Sequence, residues 1–153
     1  MYIKNCIQKY MLLFILPVVS EYFKLQSMAV PDFFVGENQA KELTLVEEQF
    51  ADVFMLEFAG LSRDDFITVL TKHGVIWELD EAMGRLYYTD FKHGGLNQRF
   101  KVVKRPFGLH KIMNGLNSCI TLDFKSEGFH KITCDDHDLK QYFRLVQMPN
   151  RGL

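Results

Sequence analysis

An α+β domain is the fold class that this 153-residue sequence predicts, and three observations predict it. Apolar residues recur at helical spacing over 38–59, and an acid-capped segment closed by glycine follows over 62–74. From residue 75 onward the period changes to alternation, broken by turn residues. The sum is N-terminal helices, a mostly antiparallel sheet of about five or six strands, and a closing C-terminal helix.

The first 29 residues form an N-terminal extension with three readings. Lys4 and Lys9 precede an apolar run at 11–19, and Ser27-Met28-Ala29 offers small residues where a signal peptidase cuts. The same stretch also reads as a helix, or as an extension upstream of a start at Met28. The apolar run is far short of the roughly 20 residues a bilayer span needs. Residues 30–153 are then a single domain, long enough to bury a core without staples.

Leu43, Val46, Phe50, Val53 and Phe54 lie at spacings of three and four, which places them on one helix face. Ser62 is positioned as an N-cap, with Asp64 and Asp65 in the first turn where the helix dipole favours acids. Phe66, Ile67 and Leu70 make the buried stripe of that helix, and Gly74 closes it in the left-handed conformation.

Residues 75–79 and 85–91 alternate and are joined across 80–84, with Trp77 in the core set. A third strand over 99–104 stops at Pro106, whose missing N–H suits a strand end. Residues 109–113 and 116–124 flank Asn114-Gly115, a strong hairpin signal because both central residues must take positive φ. Glu127-Gly128 marks a turn before 129–134. Asp135 or Asp136 then caps a closing helix striped by Leu139, Phe143 and Val146.

Charge reverses along the chain. Residues 37–90 carry twelve acids against four bases, and residues 91–122 carry six bases and no acid. If the strands at 85–91 and 99–104 pair, alternation gathers Arg85, Tyr87, Arg99 and Lys101 on one open face. Lys92, His93, Lys104, Arg105 and Lys111 stand nearby. Cations with an interleaved aromatic suit an acidic surface or an unpaired nucleic-acid strand.

A second cluster, Cys119, His130, Cys134 and His137, has zinc-compatible donors at a spacing no standard site uses. His130 and Cys134 are more often simply buried, the cysteine as a small hydrophobe and the histidine satisfied by a neighbour. The loop 91–97 carries two glycines, a histidine and a lysine but lacks a phosphate-binding fingerprint, so it reads as a flexible hairpin loop. No reaction centre and no cofactor motif stands out, so the sequence leans away from an enzyme. No internal repeat and no family resemblance is evident.

The expectation is a small non-enzymatic binding or regulatory protein that docks its basic sheet face onto an acidic protein surface, including that of a second copy. Three alternatives accompany it: a single-stranded nucleic-acid binder, an exported envelope protein with a Cys119–Cys134 disulfide, and a ligand-binding or enzyme domain with a cavity between helices and sheet. A membrane partner is not expected. Three scattered cysteines favour a reducing, cytoplasmic setting unless residues 1–29 are a signal peptide.

Overall fold

The computed structural model describes residues 22–58 and 66–149. Its elements are strands and short 3-10 turns, with no α-helix among the described residues. The α+β expectation is therefore overturned in favour of an all-β fold. Twelve strands occur: β1 Phe23–Ser27, β2 Phe33–Glu37, β3 Leu43–Glu47, β4 Phe54–Phe58, β5 Ile67–Thr71, β6 Ile76–Leu79, β7 Leu86–Thr89, β8 Lys101–Arg105, β9 Leu109–Met113, β10 Ser118–Asp123, β11 Gly128–Thr133 and β12 Phe143–Gln147.

The pairings close a barrel. β1 pairs β12 and β4, β4 pairs β5, β8 pairs β9, and β9 pairs β12. The circuit is completed where Ile67 of β5 bridges Phe100, just ahead of β8. The remaining strands form hairpins β2–β3, β6–β7 and β10–β11. These hairpins join in a ring: Tyr88 N–H donates to Lys41 O (2.7 Å), Lys131 N–H to Gly84 O (2.8 Å) and Leu45 N–H to Glu127 O (3.2 Å). Barrel and cap together eliminate most open sheet edges.

This connectivity is one four-strand unit used three times, β1–β4, β5–β8 and β9–β12, although the sequence suggested no repeat. Register aligns the units. Gln26 faces Phe34, Leu70 faces Ile76 and Met113 faces Cys119, while Gly36, Glu78 and Thr121 face Thr44, Tyr87 and His130. The core is built in triplets, one residue from each unit: Val35, Trp77 and Ile120; Leu43, Leu86 and Phe129; Phe54, Phe100 and Phe143; Leu25, Val69 and Ile112, all buried. Trp77 stands edge-on to Phe54 and Phe100, at centroid distances of 5.3 and 5.9 Å, so the aromatic centre joins two units.

The expected helices have identifiable replacements. The 38–59 stripe is two strands read through a 3-10 turn at Glu48–Phe50, and Phe50 on that stripe is exposed. The N-cap and first turn expected at 62–65 lie outside the described residues. The rest of that segment is β5, and Gly74 turns the β5–β6 hairpin with φ +83° instead of closing a helix. The closing helix is a 3-10 turn at Leu139–Gln141 followed by β12. Strands at 75–79, 85–91, 99–104, 109–113, 116–124 and 129–134 correspond to β6–β11. Around Asn114-Gly115 the hairpin forms with a longer loop than a two-residue turn, closed by Asn114 N–H on Ser118 O (3.0 Å).

Residues 23–27, placed by sequence in the N-terminal extension, are a barrel strand with Phe23 and Leu25 buried. Cleavage after Ala29, or a start at Met28, would remove that strand. The apolar run at 11–19 lies outside the described residues, and no helix among the described residues is long and apolar enough to cross a membrane.

Candidate functional site: a braced loop in the second unit

Two residues before each core phenylalanine of the barrel sits a polar side chain: Asp52 before Phe54, Gln98 before Phe100, Gln141 before Phe143. Both glutamines are buried and tie the loop after the preceding hairpin to the barrel. Gln141 Oε1 accepts from Asp135 N–H (2.8 Å), and its amide donates to Thr133 O (2.9 Å). Gln98 Oε1 accepts from His93 and Gly94 N–H (3.0 and 3.1 Å), and its amide donates to Phe91 O (2.8 Å).

In the second unit the brace extends to a buried carboxylate. Glu78, 8% exposed, accepts from Asn97 Nδ2 (2.8 Å), His93 Nε2 (2.9 Å) and Gln98 Nε2 (3.2 Å). Burial pushes its carboxyl up, yet the hydrogen bonds from His93, Gln98 and Asn97 together hold it below the ordinary range. Gly95 N–H donates to His93 Nδ1 (3.0 Å), so Nε2 carries the proton that faces Glu78. Tyr87 lies opposite Glu78, and its phenol is pushed up first by burial and then by that carboxylate.

The product is a rigid loop, residues 90–95, whose outer surface carries the Phe91 ring, 69% exposed, tilted beside His93 at 5.8 Å. Lys92 at its edge pairs with Glu57 of β4. Arg99 Nε donates to Gly94 O (3.0 Å) and closes the loop from below. An exposed aromatic face beside polar side chains can hold a ligand that has both an apolar face and hydroxyls.

The predicted basic face is distributed differently. β7 pairs β6 and β8 pairs β9, so the strands that would have built it are not neighbours. Arg85 pairs with Glu42 (3.3 Å) and Arg105 with Asp136 (3.1 Å). Lys111 is only 3% exposed: its ammonium donates to Asp135 O and Asp136 Oδ1 and lies 4.8 Å from the Tyr142 ring centre. Lys101 and Lys104 stand exposed on β8 with no acid at ion-pair distance among the described residues. Tyr87, Lys92, His93 and Arg99 thus come together, while Arg85, Arg105 and Lys111 lie elsewhere. Of the six bases in 91–122, Lys92 pairs with an acid of the first half, and Arg105 and Lys111 pair with Asp136 beyond the basic stretch.

The zinc alternative fails because Cys119 and Cys134 are bonded to each other, which removes both thiolates from the donor set. His130 instead meets Ser126 Oγ (3.3 Å) and Asp123 Oδ2 (3.7 Å) through the same nitrogen, Nε2. A nucleophile relay needs the two partners on opposite ring nitrogens, so this trio is a turn brace. The cavity between Glu42, Arg85, Ser126 and His130, where the three hairpins meet, measures about 10 Å³ and has room for one water. A cavity between helices and sheet, the third alternative, has no α-helix among the described residues to form it.

Signals of the threefold unit were present in the sequence. Gln98-Arg99-Phe100 and Gln141-Tyr142-Phe143 are the same polar-x-Phe step 43 residues apart, and Asp52-Val53-Phe54 repeats it 46 residues earlier with a shorter acid.

No protein-family model matches the chain, and no characterised sequence matches it. Solved structures do. A GlcNAcα1-4Gal-releasing endo-β-galactosidase from Clostridium perfringens superposes with a TM-score of 0.70 at 10% identity, over 84% of this chain and 32% of that one. The Polyporus squamosus lectin, solved with Neu5Acα2-6Galβ1-4GlcNAc, gives 0.67 at 14% identity, over 81% of this chain and 48% of that one. The BEL β-trefoil gives 0.68 at 11% identity, over 86% of this chain and 96% of that one. The chain is therefore a β-trefoil. It spans about a third of the Clostridium enzyme and about half of the lectin, and at these identities the likeness is one of fold alone.

Proposed function

We propose that this protein is a non-enzymatic glycan-binding module. Galactosides are the first ligand class to test, and the braced loop of the second unit is the binding site. The observation that carries this is the exposed Phe91 ring, tilted beside His93, whose imidazole a buried carboxylate holds together with Asn97. A pyranoside has one face of C–H groups, which packs against an aromatic ring, and an edge of hydroxyls, which needs oriented donors and acceptors. Asn97 Nδ2 is spent on Glu78 and Leu79 O, which leaves its carbonyl oxygen free to accept. Two structural neighbours name galactose-containing glycans in their descriptions, and this supports the choice of ligand class.

The test is titration calorimetry with lactose and with the trisaccharide Neu5Acα2-6Galβ1-4GlcNAc, on the native chain and on Phe91→Ala. Binding that falls at least tenfold in Phe91→Ala supports the reading. No binding up to tens of millimolar, or equal binding by both proteins, overturns it.

A second reading, an acidic protein surface as partner, is favoured by exposed Lys101 and Lys104. It predicts association that weakens steeply with salt and with Lys101→Ala plus Lys104→Ala. Indifference to both removes it. The Cys119–Cys134 bond supports residence in an oxidising compartment. Intact mass of native material lacking two thiol protons is the expected result, and free thiols at both positions refute it.

A further inference from the structure

The threefold architecture supplies three equivalent places for the site, and the three units fill them differently. Register makes Gly36, Glu78 and Thr121 equivalent, with Thr44, Tyr87 and His130 opposite them. We infer that the second unit alone binds glycan, so that the protein is monovalent; the inference rests on the glycan reading above.

In the first unit the place of Glu78 is taken by a glycine. A side chain cannot be accommodated there: a Cβ on Gly36 would meet Val46 Cγ2 at 2.6 Å and Phe50 O at 3.3 Å. There is also no loop, because β3 ends at Glu47 and the 3-10 turn starts at Glu48. The groove beside that turn is lined by Lys24, Glu47, Glu48 and Gln49, without an aromatic wall, and the Lys24 ammonium is already bound to Glu48 O (2.8 Å).

In the third unit Thr121 is fully buried, and its hydroxyl is spent on Cys119 O (3.0 Å). A loop exists, but it is stapled. Phe91 follows Tyr87 by four residues, and Cys134 follows His130 by four. Where the second unit presents an exposed ring, the third therefore has a cysteine bonded to the adjacent strand through Cys119. Two of its acids are paired internally: Asp136 with Lys111 and Arg105, and Asp138 with Lys140.

Among the described residues, only the second unit combines a buried carboxylate, a loop that it braces and an exposed ring on that loop. One such site per chain cannot cross-link two glycans. Its role is then delivery to, or retention on, a single glycan, not agglutination.

The experiment is an NMR titration of the isotopically labelled full chain with lactose, with native mass spectrometry for stoichiometry. Phe91→Ala serves as the loop variant, and Phe50→Ala, in the first unit, as a matched exposed-phenylalanine control. The expected result is a single bound lactose, shifts concentrated at residues 87–99, loss of both in Phe91→Ala and retention in Phe50→Ala. Two or three bound sugars, or shifts centred on residues 44–50 or 130–140, overturn monovalence at the second unit and leave the glycan reading standing. No binding of lactose or of the sialylated trisaccharide overturns both.

Discussion

Replacing Glu78 by glutamine changes no volume and tests whether the loop depends on charge and donor direction. The carboxylate accepts three hydrogen bonds, from His93, Asn97 and Gln98. In Glu78→Gln the amide oxygen can still serve His93 and Asn97, but the new NH2 then faces the NH2 of Gln98. Flipping Gln98 does not help, because its oxygen is required by the His93 and Gly94 N–H groups and its NH2 by Phe91 O. One buried contact becomes donor against donor, which costs about 1–3 kcal/mol, and two others lose charge assistance, about 0.5–1 kcal/mol each. The total is about 2–5 kcal/mol, or about 5–20 °C in Tm for a domain of this size. Thermal unfolding followed by circular dichroism measures it, with the exposed acid Glu81→Gln as control. The linkage has a definite sign. Because the folded Glu78 carboxyl is held below its ordinary value of 4.5, its contribution is complete above that pH and is lost as pH falls through the folded value. Glu78→Gln should therefore flatten the acid limb of the stability profile. A Tm within 2 °C of the parent together with an unchanged acid limb would refute the reasoning.

Further outcomes follow from the same structure. Asp52 is raised from its ordinary value of 3.8, first by burial and against a weaker pull from Tyr88, so the folded state holds that proton more tightly and stability falls as pH rises through the folded value; Asp52→Asn should remove that slope in urea unfolding at pH 4 and pH 7. Reducing the Cys119–Cys134 bond, which closes a 15-residue separation, should cost about 3 kcal/mol, read as a lower denaturation midpoint with reductant. No change in midpoint would mean that the bond is absent or that the third unit does not need it. Gly36→Ala should cost about 1–3 kcal/mol, because Val46 must move to clear the new Cβ; a neutral variant would show that β2 and β3 can separate there.

The strands from residue 76 to residue 133 are legible because each is a short run rich in β-branched, aromatic or other apolar residues, punctuated by glycine or a polar turn. The N-terminal third is not, and particular residues explain why. Leu43, Val46, Phe50, Val53 and Phe54 match a helical period only because a 3-10 turn offsets two strands by the right number of residues. Gly74 supplies a positive φ that a helix C-cap and a hairpin turn need equally, so its presence cannot choose between them. The candidate site was half legible. His93 and Lys92 were singled out and loop 91–97 was noted, but Glu78 looked like one acid among many. Its importance lies in being buried opposite Gln98, twenty residues away.

The sequence by itself determined the existence and order of β6–β11, the core position of Trp77, the turn at Glu127-Gly128 and the proximity that makes a Cys119–Cys134 bond conceivable. All of these depend on neighbours a few residues apart or on a single hairpin. Only the tertiary structure decided that four strands recur three times, that β8 pairs β9 and not β7, and that Arg85, Lys92, Arg105 and Lys111 face acids of the same chain. Those outcomes come from long-range pairing, where strand register brings together residues that no local period relates, and a repeat held only as triplets of buried positions leaves little trace in residue identity.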